Sequence, residues 1–90
     1  MEIAGRIHAK LTEALAPARL EVVDDSHRHR GHAGHDPRGE SHFTVTVVSE
    51  AFRGKSRVER HRTVNALLAE ELRDRVHALA LRTLTPEEDR

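Results

Sequence analysis

Apolar residues return at every fourth position near the start of the chain, at Ile3, Ile7, Leu11 and Leu15 with Ala14 beside them. That spacing places one apolar stripe along a helix from Glu2 to Ala16. Pro17 cannot continue an α-helix and disfavours helical geometry in the residue before it, so the helix is expected to stop there. Leu20, Val22 and Val23 then make a short strand-prone run, closed by the turn-forming cluster Asp24-Asp25-Ser26. From residue 26 to residue 41 the hydrophobic period disappears and Gly31, Gly34, Pro37 and Gly39 interrupt the chain, which predicts one long connecting loop. Phe43, Val45, Val47 and Val48, interleaved with Thr44 and Thr46, mark a second strand.

A connector containing Phe52 and Gly54 leads to a second, longer helix. Val58, His61, Val64, Leu68 and Leu72 line one face of it, and Ser56 is placed to cap its start. His77, Leu79 and Leu81 alternate with Ala78, Ala80 and Arg82 in a third strand, before Thr85-Pro86-Glu87-Glu88 begins a terminal turn or short helix. The loop favours antiparallel pairing of the first two strands. The crossover helix favours parallel, right-handed pairing of the second and third. The order helix, strand, strand, helix, strand therefore predicts a single α/β (α+β) domain over residues 1–90. Its three-stranded mixed sheet carries the helices on one face and leaves a wetter face opposite.

A chain of 90 residues builds one modest core. With 37% hydrophobic and 33% charged residues, little remains to enclose a deep substrate pocket. Fifteen basic residues balance fifteen acidic ones, so attraction to a polyanion has to come from local clustering. Cysteine is absent, which excludes disulfides, thiol nucleophiles and clusters held by this chain's own thiolates. No stretch approaches the roughly 20 apolar residues that span a bilayer, and the start lacks a charged region followed by an apolar run. A cytoplasmic protein that exists free as a monomer or weak homodimer is the expectation.

Histidine is the compositional anomaly, with eight residues, of which His27, His29, His32, His35 and His42 crowd one segment. Taken alone, the loop histidines are solvated imidazoles that titrate near neutrality and chelate first-row metals whatever their purpose. His77 reads by pattern as a half-buried histidine that packs or donates a hydrogen bond. His42 beside the second strand, and His61 on the helical stripe, read as structural, with His61 holding the helix to its connector. Arg53, Lys55, Arg57, Arg60 and Arg62 form a basic cluster where phosphate could meet a helix start. Gly54 stands alone, without the paired glycines of a phosphate-clamping KH loop, and Phe43 and Phe52 look like core. Ser49, Asp24 and Asp25 show no nucleophile-and-base spacing, so catalysis is not expected.

Four signatures occur in order: Leu20-Glu21-Val22-Val23-Asp24-Asp25-Ser26; Glu40-Ser41-His42-Phe43; Val48-Ser49 with Phe52-Arg53-Gly54 and Arg60-His61-Arg62; and Val76-His77-Ala78-Leu79-Ala80-Leu81. Together they make the chain resemble the BolA family over nearly its whole length. The resemblance implies a class II KH-like fold and partnership with a monothiol glutaredoxin around a shared [2Fe-2S] cluster. The partner would bring cysteine thiolate and glutathione sulfur. This chain would bring His77 and one loop histidine, His29 by alignment on Asp25-Ser26, with His32 and His35 near enough to substitute. Imidazole in place of thiolate raises the potential of such a cluster, which suits sensing or transfer. Relatives regarded as transcriptional regulators, in stress responses among others, imply DNA as the alternative partner, met by Arg53, Lys55, Arg57, Arg60 and Arg62.

Overall fold

The computed structural model describes residues 2–25 and 41–89. Of the expected loop, only Ser41 falls within that range. Helix α1 spans Glu2–Leu15, and the fourfold stripe does what its spacing predicts: Ile3, Ile7 and Leu11 are fully buried and Leu15 nearly so. Each such side chain contributes roughly 1.5–3 kcal/mol by leaving water. Ala16 ends the helix in the left-handed region, with φ of 43°, while its amide donates to the Thr12 carbonyl at 3.1 Å. Pro17 explains that geometry, because it excludes helical backbone from its predecessor.

The strands are β1 (Arg19–Asp24), β2 (His42–Val48) and β3 (Ala78–Leu84), in the order β1-β2-β3. β1 and β2 pair antiparallel, and β2 and β3 pair parallel. Alternation sorts the side chains into two faces. The rows Leu20-Val47-Thr83, Val22-Val45-Leu81 and Asp24-Phe43-Leu79 run across one face, where Phe43, Val45 and Val47 share a core with Ile3, Ile7, Leu11, Phe52, Val64 and Leu68. The opposite face is the wetter one: Glu21, Val23, Ala80 and Arg82 are exposed around Thr44 and Thr46.

Between β2 and the next helix, a turn of 3-10 helix (Glu50–Phe52) delivers Phe52 into the core. Gly54 completes the connector at φ 79°, a conformation in which a Cβ would be strained. Ser49 joins three elements at this corner. Its buried hydroxyl donates to the Leu15 carbonyl at 2.6 Å and accepts from the Ala51 amide at 3.1 Å. Its own amide donates to the Leu84 carbonyl at 2.8 Å.

The single long helix expected after Ser56 is instead two, α2 (Arg57–Leu67) and α3 (Ala69–Asp74), separated at Leu68, whose φ of −104° and ψ of 17° leave the helical region. A continuous helix would carry the stripe on to Leu72. After the break it is Glu71 that is fully buried, and Leu72 only partly. The stripe also begins later than its spacing predicts. Val58 is 59% exposed, because it lies with Arg57 and Glu59 on the exposed start of α2, where a valine gains nothing from the core. Ser56 does cap α2, through a capping box: its hydroxyl accepts from the Glu59 amide at 3.1 Å, and the Glu59 carboxylate accepts from the Ser56 amide at 2.9 Å.

Candidate functional site

Parallel pairing of β2 with β3 aligns the starts of both strands, with His42 opposite Ala78. His77 therefore stands one residue before β3, beside Ser41 and the end of β1. Asp25, Ser41 and His77 are tightly held by backbone bonds. The Asp25 amide donates to the His42 carbonyl at 2.7 Å, and the amides of His77 and Ala78 both donate to the Ser41 carbonyl, at 2.7 and 3.3 Å. Thr44 Oγ1 donates to the Asp25 carboxylate. Asp25, Ser41 and His42 are buried, whereas His77 is exposed.

The two imidazoles are neighbours with different environments. Their ring centroids lie 6.2 Å apart and their planes are tilted by 51°. His42 Nδ1 lies 2.8 Å from Ser41 Oγ, and its ring is nearly enclosed. No hydrogen bond among the described residues occupies either ring nitrogen of His77. His77 can thus offer a nitrogen lone pair to an external acceptor, and its backbone bonds to Ser41 fix where that nitrogen starts. His29, His32 and His35 lie outside the described residues. Among the described residues no group of three metal-capable side chains is assembled, so a metal here would need donors from elsewhere.

His77 is placed by the helix that precedes it. Val76 is buried, and the amides of Arg75 and Val76 donate to the Glu71 carbonyl at 3.0 and 2.9 Å. The Glu71 side chain, with no solvent exposure, meets Arg6 Nη2 and Lys10 Nζ of α1 at 2.8 Å each. Burial opposes its ionisation, but the hydrogen bond from Lys10 and the nearby charges of Lys10 and Arg6 outweigh it and hold the carboxyl below its ordinary range. A buried ionic clamp from α1 to α3 thereby anchors the segment that presents His77.

The basic cluster divides in two. Arg53 pairs with Glu50 and Glu87, which raise its pKa. Arg60 is sequestered further. Its guanidinium donates to the carbonyls of Lys55 and Thr83 at 2.9 and 3.0 Å and to Glu88 at 2.6 Å, and it stacks 5.9 Å from the Phe52 ring. In return, the hydrogen bond from Arg60, joined by the Thr85 amide, lowers the Glu88 pKa to about 2. Lys55, Arg57 and Arg62 are exposed, and the charges of Lys55 and Arg62 act on Glu59. The tie from helix to connector expected of His61 is made by Arg60. His61 is half-buried beside β3, lining a groove with Arg57 and Leu81.

Two features escaped sequence reasoning. The adjacency of His42 and His77 follows from strand register, and the shared position of the two at their strand starts was the available signal. The Glu71 clamp left only a fainter trace, Arg6 and Lys10 one turn apart on α1.

A family model described as BolA-like protein matches residues 11–88. The DNA-binding transcriptional regulator BolA of Escherichia coli (strain K12) is 50% identical over 88 residues, covering 98% of this chain and 80% of that protein. An uncharacterized protein in the cobS 5′ region of a Sinorhizobium species is 51% identical over 89 residues, covering 98% and 96%. Among solved structures, the BolA domain of SufE1 from Arabidopsis thaliana superposes with a TM-score of 0.88 at 46% identity, covering 98% of this chain and 96% of that one.

Proposed function

This chain belongs to the BolA family, and from that premise we propose that it is a non-enzymatic accessory protein that binds a monothiol glutaredoxin and contributes histidine to a shared [2Fe-2S] cluster. The exposed imidazole of His77, fixed through its backbone to Ser41 and unoccupied by any hydrogen bond among the described residues, carries the proposal. The donor chemistry fits. Without cysteine the chain has no thiolate to offer, so imidazole would be its contribution, and the partner thiolate and glutathione sulfur would complete the set. His77 is one ligand, and His29, with His32 and His35 as its neighbours, supplies the second. His42 is less suited, because Ser41 already engages its Nδ1 and its ring is buried.

Ligation requires neutral imidazole, so the complex weakens on acidification. A catalytic reading finds no support in the serine–histidine contact among the described residues, Ser41 with His42, because Ser41 is fully buried and offers no approach to a substrate. The test is anaerobic reconstitution of a cluster on a monothiol glutaredoxin, followed by visible circular dichroism as this protein is added. A changed spectrum that His77→Ala abolishes supports the proposal, and His29→Ala then identifies the loop ligand. A spectrum indifferent to the wild-type protein or to His77→Ala overturns it.

DNA binding is the second reading, favoured by the name of the Escherichia coli relative and by the exposed Lys55, Arg57 and Arg62. With three cations available, the logarithmic salt dependence of duplex binding should have a slope of about −2.7. No binding at low salt would remove this reading.

A further inference from the structure

We propose that the outer edge of β3 receives an extended, carboxylate-bearing segment of a partner protein as a fourth strand. β3 is an edge strand. The Ala78 amide donates to the Ser41 carbonyl and the Leu84 carbonyl accepts from the Ser49 amide, so the alternation of a parallel ladder turns the backbone groups of Ala78, Ala80, Arg82 and Leu84 toward β2. Those of Leu79, Leu81 and Thr83 point the other way. Arg60 takes the Thr83 carbonyl from that side at 3.0 Å and so caps one end of the edge. Leu79 and Leu81 keep N–H and C=O groups that nothing among the described residues pairs.

Sheet edges are normally blunted by proline, bulges or inward-pointing charge. β3 contains no proline, and its register with β2 runs from Ala78 to Leu84 without a bulge. A groove of about 360 Å³ follows the same edge, lined by Arg57, His61, Leu81, Arg82, Thr83 and Leu84. Among the described residues no carboxylate lines it. Arg53 and Arg60 are satisfied by Glu50, Glu87 and Glu88. Asp89, which feels the charge of Arg82, is held by Arg19 through both oxygens. Arg57 and Arg82 thus flank an open strand edge without a salt-bridged carboxylate among the described residues, which is the arrangement that recognises an acidic strand: main-chain bonds supply affinity and alternate side chains supply selectivity.

A nucleic acid is disfavoured here. The groove has an aliphatic wall of Leu81 and Leu84, and both phenylalanines are buried in the core, so His61 is the one aromatic ring among its described lining residues, short of the row of aromatics on which successive bases stack. The inference depends on backbone and charge alone and holds whether or not His77 meets a cluster.

The experiment titrates the full ¹⁵N-labelled chain with a blocked heptapeptide alternating valine and glutamate, and with its lysine counterpart. The amide signals of Leu79 and Leu81 should shift with the glutamate peptide only, and their hydrogen exchange should slow roughly tenfold. Arg57→Glu and Arg82→Glu, both surface changes, should each weaken binding about fivefold. In the double variant the lysine peptide should bind in place of the glutamate peptide. Unchanged Leu79 and Leu81 amides at millimolar glutamate peptide overturn the proposal. So does tighter binding of oligothymidylate at the same residues, which would make the groove a nucleic-acid site, or self-association in sedimentation that alone accounts for the shifts.

Discussion

Glu71→Ala is expected to be among the most damaging single substitutions outside the aliphatic core. Removing one partner of a buried ion pair typically costs about 3–5 kcal/mol, chiefly because the remaining charge is stranded. Here the remaining charges are Arg6 and Lys10, whose side chains are 33% and 35% exposed and which keep Glu70 at 3.3 Å. Partial rehydration therefore softens the loss to about 2–3 kcal/mol. In urea, with a slope of about 1 kcal/mol per molar for a domain of this size, the midpoint should fall by roughly 2 M. Glu70→Ala removes an exposed partner of the same cations and should cost less than about 1 kcal/mol. The acid limb supplies an independent check. The Glu71 carboxyl is held below its ordinary value of 4.5, so its contribution is complete above that pH and is lost as pH falls below it. That slope should flatten in Glu71→Ala. If the two variants had equal midpoints, the clamp would be a surface ornament and the account of how His77 is anchored would be wrong.

Loss of the capping box in Ser56→Ala should cost about 1 kcal/mol in the same urea assay. Val58→Asp should change stability by no more than about 0.5 kcal/mol, whereas Leu68→Ala, at the buried break between α2 and α3, should cost about 2–5 kcal/mol. Glu88 titrates at about 2 against an ordinary 4.5, so the stability it contributes with Arg60 persists above about pH 4.5 and fades between there and about pH 2. Acid titration of Arg60→Ala should show that segment of the curve missing.

Most of the sheet was legible because each strand carried its own period. Alternating valines and threonines define β2, and Leu79 and Leu81 define β3, so their register places His77 at the sheet's end. Helix periodicity was less informative where polar anchoring competes with apolar spacing. Val58 fits the stripe by number but sits at the exposed start of α2, and the stripe gives no hint that Glu71, bonded to α1, is buried more completely than Leu72. The basic cluster misled for a related reason. Local sequence displays charge but not its neutralisation, and the carboxylates that occupy Arg53 and Arg60 include Glu87 and Glu88, which lie far along the chain. His29, His32 and His35 lie outside the described residues, so their part of the site stays with the proposal.

Ser49 bears on how the molecule loses order. One buried hydroxyl and its own amide bind the end of α1, the start of the 3-10 turn and the end of β3. These elements are remote in sequence, yet none can open alone without stranding a buried polar group. Fraying at this corner is therefore coupled across the chain: exchange at Ala51, at the last turn of α1 and at the end of β3 should proceed with one common opening energy. The opposite end of the sheet has its own ties, from Ser41 to His77 and from Glu71 to α1, so it is held independently of the Ser49 corner.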